Sequence, residues 1–196
     1  MSLVELIGRA DDRSLAASAV ACLDRCLPLL EYVDGADRIG LDTDLALRPL
    51  WSAVEGDDAW LGRLRRVAAV VERVAGHAPG ELAGFARRMA AAVPAAYTGP
   101  ELRAWAEECS AAVLEVHLRL DGAAAESDDG VRAKAYLHGE TDGITPLTAG
   151  ELRRQTELLE MLVDGSGCGL SNALRLSNEG KRVLRAAASR RARSQG

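Results

Sequence analysis

The sequence predicts an all-α protein, a single-domain compact helical bundle of about seven to eight helices. Residues that favour helices dominate, whereas aromatic residues make up only 4% of the chain. Apolar residues recur at three- and four-residue steps, which is the spacing of a buried helical stripe. A chain of 196 residues, 48% of them hydrophobic, is long enough to bury one core. We expect this domain to span residues 1–180, with residues 181–196 as a basic C-terminal helix end or tail.

The first two predicted helices occupy the first quarter of the chain. One covers residues 14–33, and Pro28 should kink or split it because a proline inside a helix lacks the amide donor. The next is capped by Asp42 or Thr43. The residues predicted to face the core are Leu15, Ala19, Cys22, Leu23, Cys26, Leu30 and Val33 in the first helix, and Leu47, Leu50, Trp51 and Val54 in the second.

Two further helices are predicted before residue 94. The third begins at Asp57 or Asp58 and should stop at Gly76, and the fourth starts in the segment HAPGE and runs to Val93. The acidic pairs at residues 11–12, 57–58 and 128–129 are expected to cap helix starts. The third helix should bury Leu61, Leu64, Ala68, Val71 and Ala75.

The segment TGPE predicts the start of a long central helix. Thr98 is the expected N-cap, Pro100 lies in the first turn, and Glu101 is the expected partner of Thr98 in a capping box. The spacing of the apolar residues predicts that this helix turns one face to the core, with Leu102, Trp105, Cys109, Val113, Val116 and Leu120 on it.

The C-terminal third is predicted to contain two or three more helices. VRAKAYLH reads as a short helix or an extended piece, and the following GETDGITP as a polar turn. Thr148 and Glu151 repeat the spacing of a capping box and open a helix that runs to Val163. A last helix runs to about Arg191.

Between the last two helices lies a glycine-rich segment, LVDGSGCGLSNALRL, at residues 162–176. It has neither the lysine nor the preceding strand of a phosphate-binding loop, and Ser166 and Cys168 miss the register of a nucleophile turn. We interpret the Gly165–Gly169 turn as a hinge in which Cys168 is the accessible thiol. Binding of a small anion by its backbone amides is the alternative.

The cysteines and histidines show no spacing typical of a metal site. Cys22 and Cys26 share a helix face, but zinc takes about four ligands and the sequence offers no second Cys or His pair. Glu-x-x-His pairs, which hold di-iron centres in helical bundles, are absent. We therefore predict that Cys22 and Cys26 are core thiols, and we expect no metal and no cofactor.

Charge is unevenly distributed along the chain. The formal net charge is −5, and residues 181–196 contribute +6, so residues 1–180 carry −11. An acidic body does not suit binding to phosphate backbones, and the basic end is typical of a solvated helix terminus. Nucleic-acid binding through that end is a third and weaker hypothesis.

Location and source follow from other features of the composition. The N-terminus is not that of a signal peptide, and no apolar run is long enough to span a membrane, which predicts a cytoplasmic protein with reduced thiols. Only two of the 24 basic residues, Lys134 and Lys181, are lysines. That usage is typical of a GC-rich bacterial genome.

One group of residues is a candidate site, on the buried face of the predicted central helix. Trp105, Cys109 and His117 are the candidate ligand-binding residues of an interhelical pocket, and His117 could pair with a neighbouring acid or serve as a base. A buried structural histidine is the alternative. The sequence assigns no catalytic residue.

Three stretches resemble a bacterial all-helical family typified by YjaG. SAVACLDRCLPLLEYV followed by LALRPLWSAVEG is similar to that family's first two helices, EECSAAVLEVHLRLDG to its long central helix, and ELRRQTELLEMLVDG to its penultimate helix. The resemblance implies a compact all-helical protein and transfers no catalytic residue. The glycine-rich turn and the basic end depart from the family's pattern.

Two hypotheses about function follow. The first is a noncatalytic protein-binding or regulatory module. An immunity protein that neutralises a cationic toxin is one form of it, since an acidic surface attracts a basic partner. The second is an enzyme or small-ligand binder that uses the pocket around Trp105, Cys109 and His117. A homo-oligomer is also compatible with the first hypothesis, with Trp51 or Trp60 in a dimer patch, although their helical spacing favours the core.

Overall fold

The computed structural model describes residues 1–27, 43–52, 58–77, 81–121, 128–164 and 169–195. Within these ranges the chain forms nine helices and no strand, which confirms the predicted all-α class. The helices are α1 (Leu3–Arg9), α2 (Asp12–Cys26), α3 (Thr43–Ser52), α4 (Asp58–His77), α5 (Glu81–Ala91), α6 (Gly99–Leu120), α7 (Asp129–Leu137), α8 (Pro146–Val163) and α9 (Gly169–Gln195).

Helix α6 is the centre of the bundle, packing against α2, α5, α7 and α8. Its predicted inner face is confirmed, because every residue of the predicted stripe from Leu102 to Leu120 is buried. The rings of Trp60 and Trp105 meet edge to face with centroids 6.3 Å apart, and Tyr97 lies 5.3 Å from Trp60. Aromatic side chains thus join α4 and α6 beside the loop that precedes α6.

Helix α2 is the second central element and contacts α3, α6, α8 and α9. Asp11 caps it, since its carboxylate accepts a hydrogen bond from the Ser14 amide at 2.7 Å. Every residue from Ser14 to Cys26 is buried, including Asp24 and Arg25. The part of the predicted helix beyond Leu27, with Pro28, lies outside the described residues.

The short helix α1 was not predicted. Ser2 and Glu5 form a reciprocal capping box, in which the Ser2 amide donates to Glu5 Oε2 at 2.9 Å and the Glu5 amide to Ser2 Oγ at 3.3 Å. Leu3, Leu6 and Ile7 have the three- and four-residue spacing of a stripe and are all buried, but seven residues hold only one repeat of that pattern. The capping motif was the available signal.

Helices α3 and α4 follow the predicted faces. Leu47, Leu50 and Trp51 are buried in α3, and all five predicted core residues of α4 are buried. Helix α4 continues through Gly76 to His77, so the predicted stop at Gly76 was wrong. Asp42, Val54 and Asp57 lie outside the described residues.

The capping box predicted at Thr98 was wrong, but Thr98 was correctly predicted as the N-cap residue. Thr98 is the N-cap of α6, but its side chain makes no capping hydrogen bond. The carboxylate of Glu101 instead accepts hydrogen bonds from the amides of Ala95 and Ala96, at 2.6 and 2.8 Å. A carboxylate that accepts from two amides gains stronger, charge-assisted bonds, and here they fix the loop before α6.

The second predicted capping box was wrong. Helix α8 begins earlier, at Pro146, and Thr145 is its N-cap, with its hydroxyl accepting from the Thr148 amide at 3.4 Å. Proline is favoured in the first turn because that position needs no amide donor, and it moves the start upstream of Thr148. Glu151 is therefore in the body of α8, where it is buried.

The C-terminal part of the chain agrees with the helical prediction. VRAKAYLH lies in α7 apart from its last residue, His138, which is the C-cap, and Gly139 follows in the left-handed region with φ of 93°. Helix α9 runs without interruption through the boundary at residue 180 to Gln195. Residues 165–168 of the glycine-rich turn, with Cys168, lie outside the described residues. Among the helices that the structure describes, none has the length and apolarity needed to span a membrane.

Candidate functional site

A group of charged side chains is buried where α2, α6 and α8 meet. Arg25 of α2 and His117 of α6 both face Glu151 of α8, and all three side chains are at most 1% exposed. Arg25 Nη2 lies 3.0 Å from Glu151 Oε1, and His117 Nε2 lies 3.6 Å from Glu151 Oε2. We call these three residues the buried charged centre. One carboxylate thus links three helices.

Further donors surround the Glu151 carboxylate. Arg154 Nη1 donates to Glu151 Oε2 at 2.6 Å, and Gln155 Nε2 donates to Oε1 at 3.0 Å. Arg25 also donates to Cys22 Sγ at 3.3 Å. A buried carboxylate is tolerated when such donors replace the water that it has lost.

These contacts set the charge states of the centre. Burial alone would raise the pKa of Glu151, but the nearby cations, Arg25 first, lower it below its usual value. Burial lowers the pKa of His117, and Glu151 opposes that shift only in part. His117 Nδ1 lies 2.8 Å from the Val113 carbonyl oxygen, which only accepts, so Nδ1 carries the hydrogen. Neutral His117 therefore turns an unprotonated Nε2 toward Glu151.

The buried thiols are chemically quiet. Burial raises the pKa of Cys22, Cys26 and Cys109, so that they stay protonated near neutral pH and are poor nucleophiles. The prediction that Cys22 and Cys26 lie on the buried face is confirmed. Among the described residues, no three His, Cys, Asp or Glu side chains are grouped as metal ligands.

The three predicted ligand-binding residues all point away from solvent. Trp105, Cys109 and His117 are fully buried on α6, and the Trp105 indole already donates to the Met89 carbonyl oxygen at 3.1 Å. His117 joins the buried charged centre. None of the three lines either of the two clefts described below. The interhelical pocket around them stays a prediction.

A cleft of about 200 Å³ opens between α2, α3 and α9. Its lining residues are Asp24, Leu47, Arg48, Trp51, Leu174, Asn178 and Lys181. We call it the α2/α3/α9 cleft. It combines charged, amide, indole and aliphatic groups from three helices, and convergence of that kind is typical of binding sites.

An ion pair forms one wall of this cleft. Lys181 Nζ lies 2.7 Å from Asp24 Oδ1, and the Ser177 hydroxyl donates to Asp24 Oδ2 at 3.0 Å. Burial raises the pKa of Asp24, and Lys181 is the main group opposing that shift. Lys181, counted by sequence with the basic end, is thus 6% exposed and part of the folded body.

The other described cleft is an open depression on α5, lined by Gly84, Phe85, Arg87, Arg88 and Ala91. Its floor is one helix face, on which the Arg88 guanidinium lies 5.8 Å from the centre of the Phe85 ring. Arg88 also reaches across to α6, where it pairs with Glu108 at 2.7 Å and with Glu115 at 2.8 Å. We call Arg88 and Glu108, which are 41% and 29% exposed, the surface charged cluster, whereas the side chain of Glu115 is only 7% exposed.

Sequence reasoning missed four residues that matter most here: Asp24, Arg25, Glu151 and Lys181. A signal was present for the first two, because this charged pair interrupts the apolar stripe between Cys22 and Cys26. Charged residues are almost never fully buried unless they are paired, so a partner elsewhere could have been expected. Which partner could not be read from the spacing.

Comparison of the chain with protein-family models, curated proteins and solved structures finds no match. The resemblance to the YjaG family therefore stays a prediction.

Proposed function

We propose that this protein is a noncatalytic binding module whose protein partner inserts one side chain into the α2/α3/α9 cleft. The observation that carries the proposal is the cleft itself, in which α2, α3 and α9 bring Asp24, Trp51 and Lys181 together. The residues that anchor protein complexes are few and fill pockets near the centre of the interface.

The size of the cleft favours a protein partner over a small ligand. Pockets that enclose drug-sized ligands measure about 300–1,000 Å³. At about 200 Å³, the α2/α3/α9 cleft is smaller and open to solvent on one side. A single side chain of a protein partner fits a cleft of this size, and the rest of the partner would then contact the rim. Leu174, which is 38% exposed at the rim, offers apolar contact to that partner.

The charge states of the described residues support a noncatalytic role. Cys22, Cys26 and Cys109 are protonated and buried, and Glu151 is held by several donors. General acid and base groups must reach the substrate with a pKa near the working pH. The buried charged centre is sealed from solvent and acts as an internal support for α2, α6 and α8.

The finer parts of the proposal rest on the sequence alone. They are a bacterial source, a cytoplasmic location, and the immunity-like form with a cationic partner. A cationic partner would meet the acidic body of the chain, whereas the exposed charge at the cleft is the positive Arg48. The charge at the cleft therefore favours an anchoring side chain of the opposite sign to the one that the overall charge of the chain favours.

Site-specific photo-crosslinking tests the proposal. A photoreactive amino acid is placed at Leu174 on the cleft rim and, as a matched control, at Val131, which is 68% exposed on α7. Both variants are irradiated in a lysate of the source organism and the crosslinked proteins are identified by mass spectrometry. We expect one protein that crosslinks to position 174 and not to position 131.

Competition makes this result specific. Excess unlabelled wild-type chain should remove the crosslink, and excess Trp51→Ala chain should leave it in place, provided that this variant keeps the wild-type circular dichroism spectrum. A crosslinked dimer would identify the partner as a second copy of the chain. Equal crosslinking at both positions, or none at position 174, would contradict the proposal.

A further inference from the structure

We infer that the α2/α3/α9 cleft selects a carboxylate, so that the anchoring side chain of the partner is an aspartate or a glutamate. The inference rests on the proposed function for the source of the carboxylate. Its own basis is the set of donors in the cleft: the Trp51 indole, the Arg48 guanidinium and the Asn178 amide.

Trp51 is the strongest part of the argument. The ring is 6% exposed and lines the cleft, and its Nε1–H has no acceptor among the described residues. Buried indole N–H groups normally have an acceptor, as those of Trp60 and Trp105 do in Leu50 and Met89. The Trp51 indole N–H is thus the one of the three that is left for an acceptor from outside the described residues.

The charges of the cleft favour an acceptor that is negative. Asp24 and Lys181 neutralise each other at 2.7 Å, and Asp24 also accepts from Ser177. Arg48 is exposed and lines the cleft, and it forms no ion pair with any side chain that the structure describes. The cleft thus has a net positive charge among its described lining residues, although residues 1–180 are acidic overall.

The apolar lining fits the rest of an acidic side chain. Leu47 and Leu174 line the same cleft and can cover the methylene groups next to the carboxylate. Arginine binds carboxylates through paired hydrogen bonds, and a bond that involves an ionised group is about twice as strong as a neutral one. A glutamine of the same shape forms only neutral bonds, so the cleft should discriminate between the two side chains.

Nuclear magnetic resonance of the indole N–H groups tests this inference without a known partner. The chain has three tryptophans and therefore gives three indole signals, of which Trp51→Phe identifies one. The ¹⁵N-labelled protein is titrated with N-acetyl-glutamate amide and, as the matched control, with N-acetyl-glutamine amide. We expect the glutamate probe to shift the Trp51 signal toward saturation and to leave the Trp60 and Trp105 signals in place.

The Arg48→Gln variant should weaken binding of the glutamate probe roughly tenfold or more, because it removes a charge-assisted bond. Arg87→Gln, an equivalent change at an exposed arginine of α5, should leave it unchanged. A Trp51 signal that ignores the glutamate probe, or responds equally to both probes, would overturn the inference. Those results would overturn the selection of a carboxylate and would not bear on the crosslinking test of the proposed function. If the glutamate probe shifts the Trp51 signal but no protein crosslinks to position 174, the protein partner is overturned and the carboxylate site stands.

Discussion

The buried charged centre and the surface charged cluster use the same chemistry in different surroundings. In each, an arginine of one helix pairs with a glutamate of another, at 3.0 Å for Arg25 and Glu151 and at 2.7 Å for Arg88 and Glu108. The side chains of the first pair are 1% and 0% exposed, and those of the second 41% and 29%. Burial is the main difference between the two pairs, and we expect their contributions to stability to differ for that reason.

Burial changes what an ion pair does for the fold. Two charges taken out of water regain most of their hydration energy from each other and from added hydrogen bonds, so the intact pair adds little net stability. Removing one member leaves an uncompensated charge, which is costly. At the surface, water replaces the lost partner at once. The packing of α2, α6 and α8 thus requires the buried charged centre to be intact. The surface charged cluster contributes little to the stability of the fold.

The largest expected effect comes from Glu151→Gln. The change leaves Arg25 charged and buried beside a neutral amide, and we expect a loss of about 3–5 kcal/mol in the free energy of unfolding. Urea unfolding followed by circular dichroism measures it. The double variant Arg25→Met/Glu151→Leu should lose less than Glu151→Gln, because it removes the fully buried Arg25 charge and leaves only Arg154, which is 11% exposed, without its partner. A double variant that is less stable than Glu151→Gln would contradict the argument that the cost comes from an unpaired buried charge.

The next effect comes from Gly180→Ala in α9. A methyl group there would overlap the stem of Arg25 and approach Arg154 Cδ to 3.1 Å. Arg25 cannot move aside because Glu151 holds its guanidinium, so we expect a loss of about 1–3 kcal/mol on urea unfolding. Gly150→Ala in α8 is the matched control, since nothing lies within 4 Å of its added methyl group. It should gain up to about 1 kcal/mol from helix propensity, and equal losses for both variants would exclude the overlap as the cause.

A smaller effect should depend on pH through His117. Its pKa is lowered in the folded state from the ordinary 6.5, so the unfolded chain takes up a proton more readily as the pH falls below that value. Stability is then complete above about pH 6.5 and declines below it, by at most ~1.4 kcal/mol per pH unit for this one group. Relative to His117→Gln, the wild-type chain should lose stability between pH 6.5 and 5.5. Parallel profiles for the two proteins would show that His117 does not titrate in this way.

The smallest effect should come from the surface charged cluster. Glu108→Gln leaves Arg88 paired with Glu115 and open to solvent, and we expect a change of less than about 1 kcal/mol. High salt should shrink even this difference, because mobile ions screen exposed charges. Urea unfolding of both proteins at low and high salt provides the measurement. A loss as large as that of Glu151→Gln would mean that burial is not what separates the two regions.

The sequence predicted most of the fold because a buried stripe is a local property. The apolar spacing located α2, α3, α4 and α6 and their inner faces, and the faces of α4 and α6 are confirmed residue by residue. Helix starts were predicted less well. Thr98 and Glu101 have the same spacing as Thr148 and Glu151, yet Glu101 holds a loop and Glu151 is buried in the core. A capping motif indicates which backbone groups a carboxylate can reach within its own segment. It does not indicate which side chains of a neighbouring helix the carboxylate will meet.

The sites were harder to predict for the same reason. Glu151 meets Arg25 and His117 only after three helices pack, and Trp51 meets Asp24 and Lys181 only where α2, α3 and α9 converge. His117 was correctly placed near the buried face of α6, because its spacing from Val113 is local. Its partner belongs to a distant segment, and spacing along one chain does not identify such a partner.

The contact between Gly180 and Arg25 also constrains how this sequence can evolve. A side chain at position 180 avoids the overlap only if position 25 becomes shorter, and a shorter residue at position 25 removes the counter-ion of Glu151. Substitutions at these three positions should therefore occur together or not at all. In any set of related chains, glycine at 180, arginine at 25 and an acid at 151 should therefore be conserved together. A chain that has changed only one of the three should be less stable.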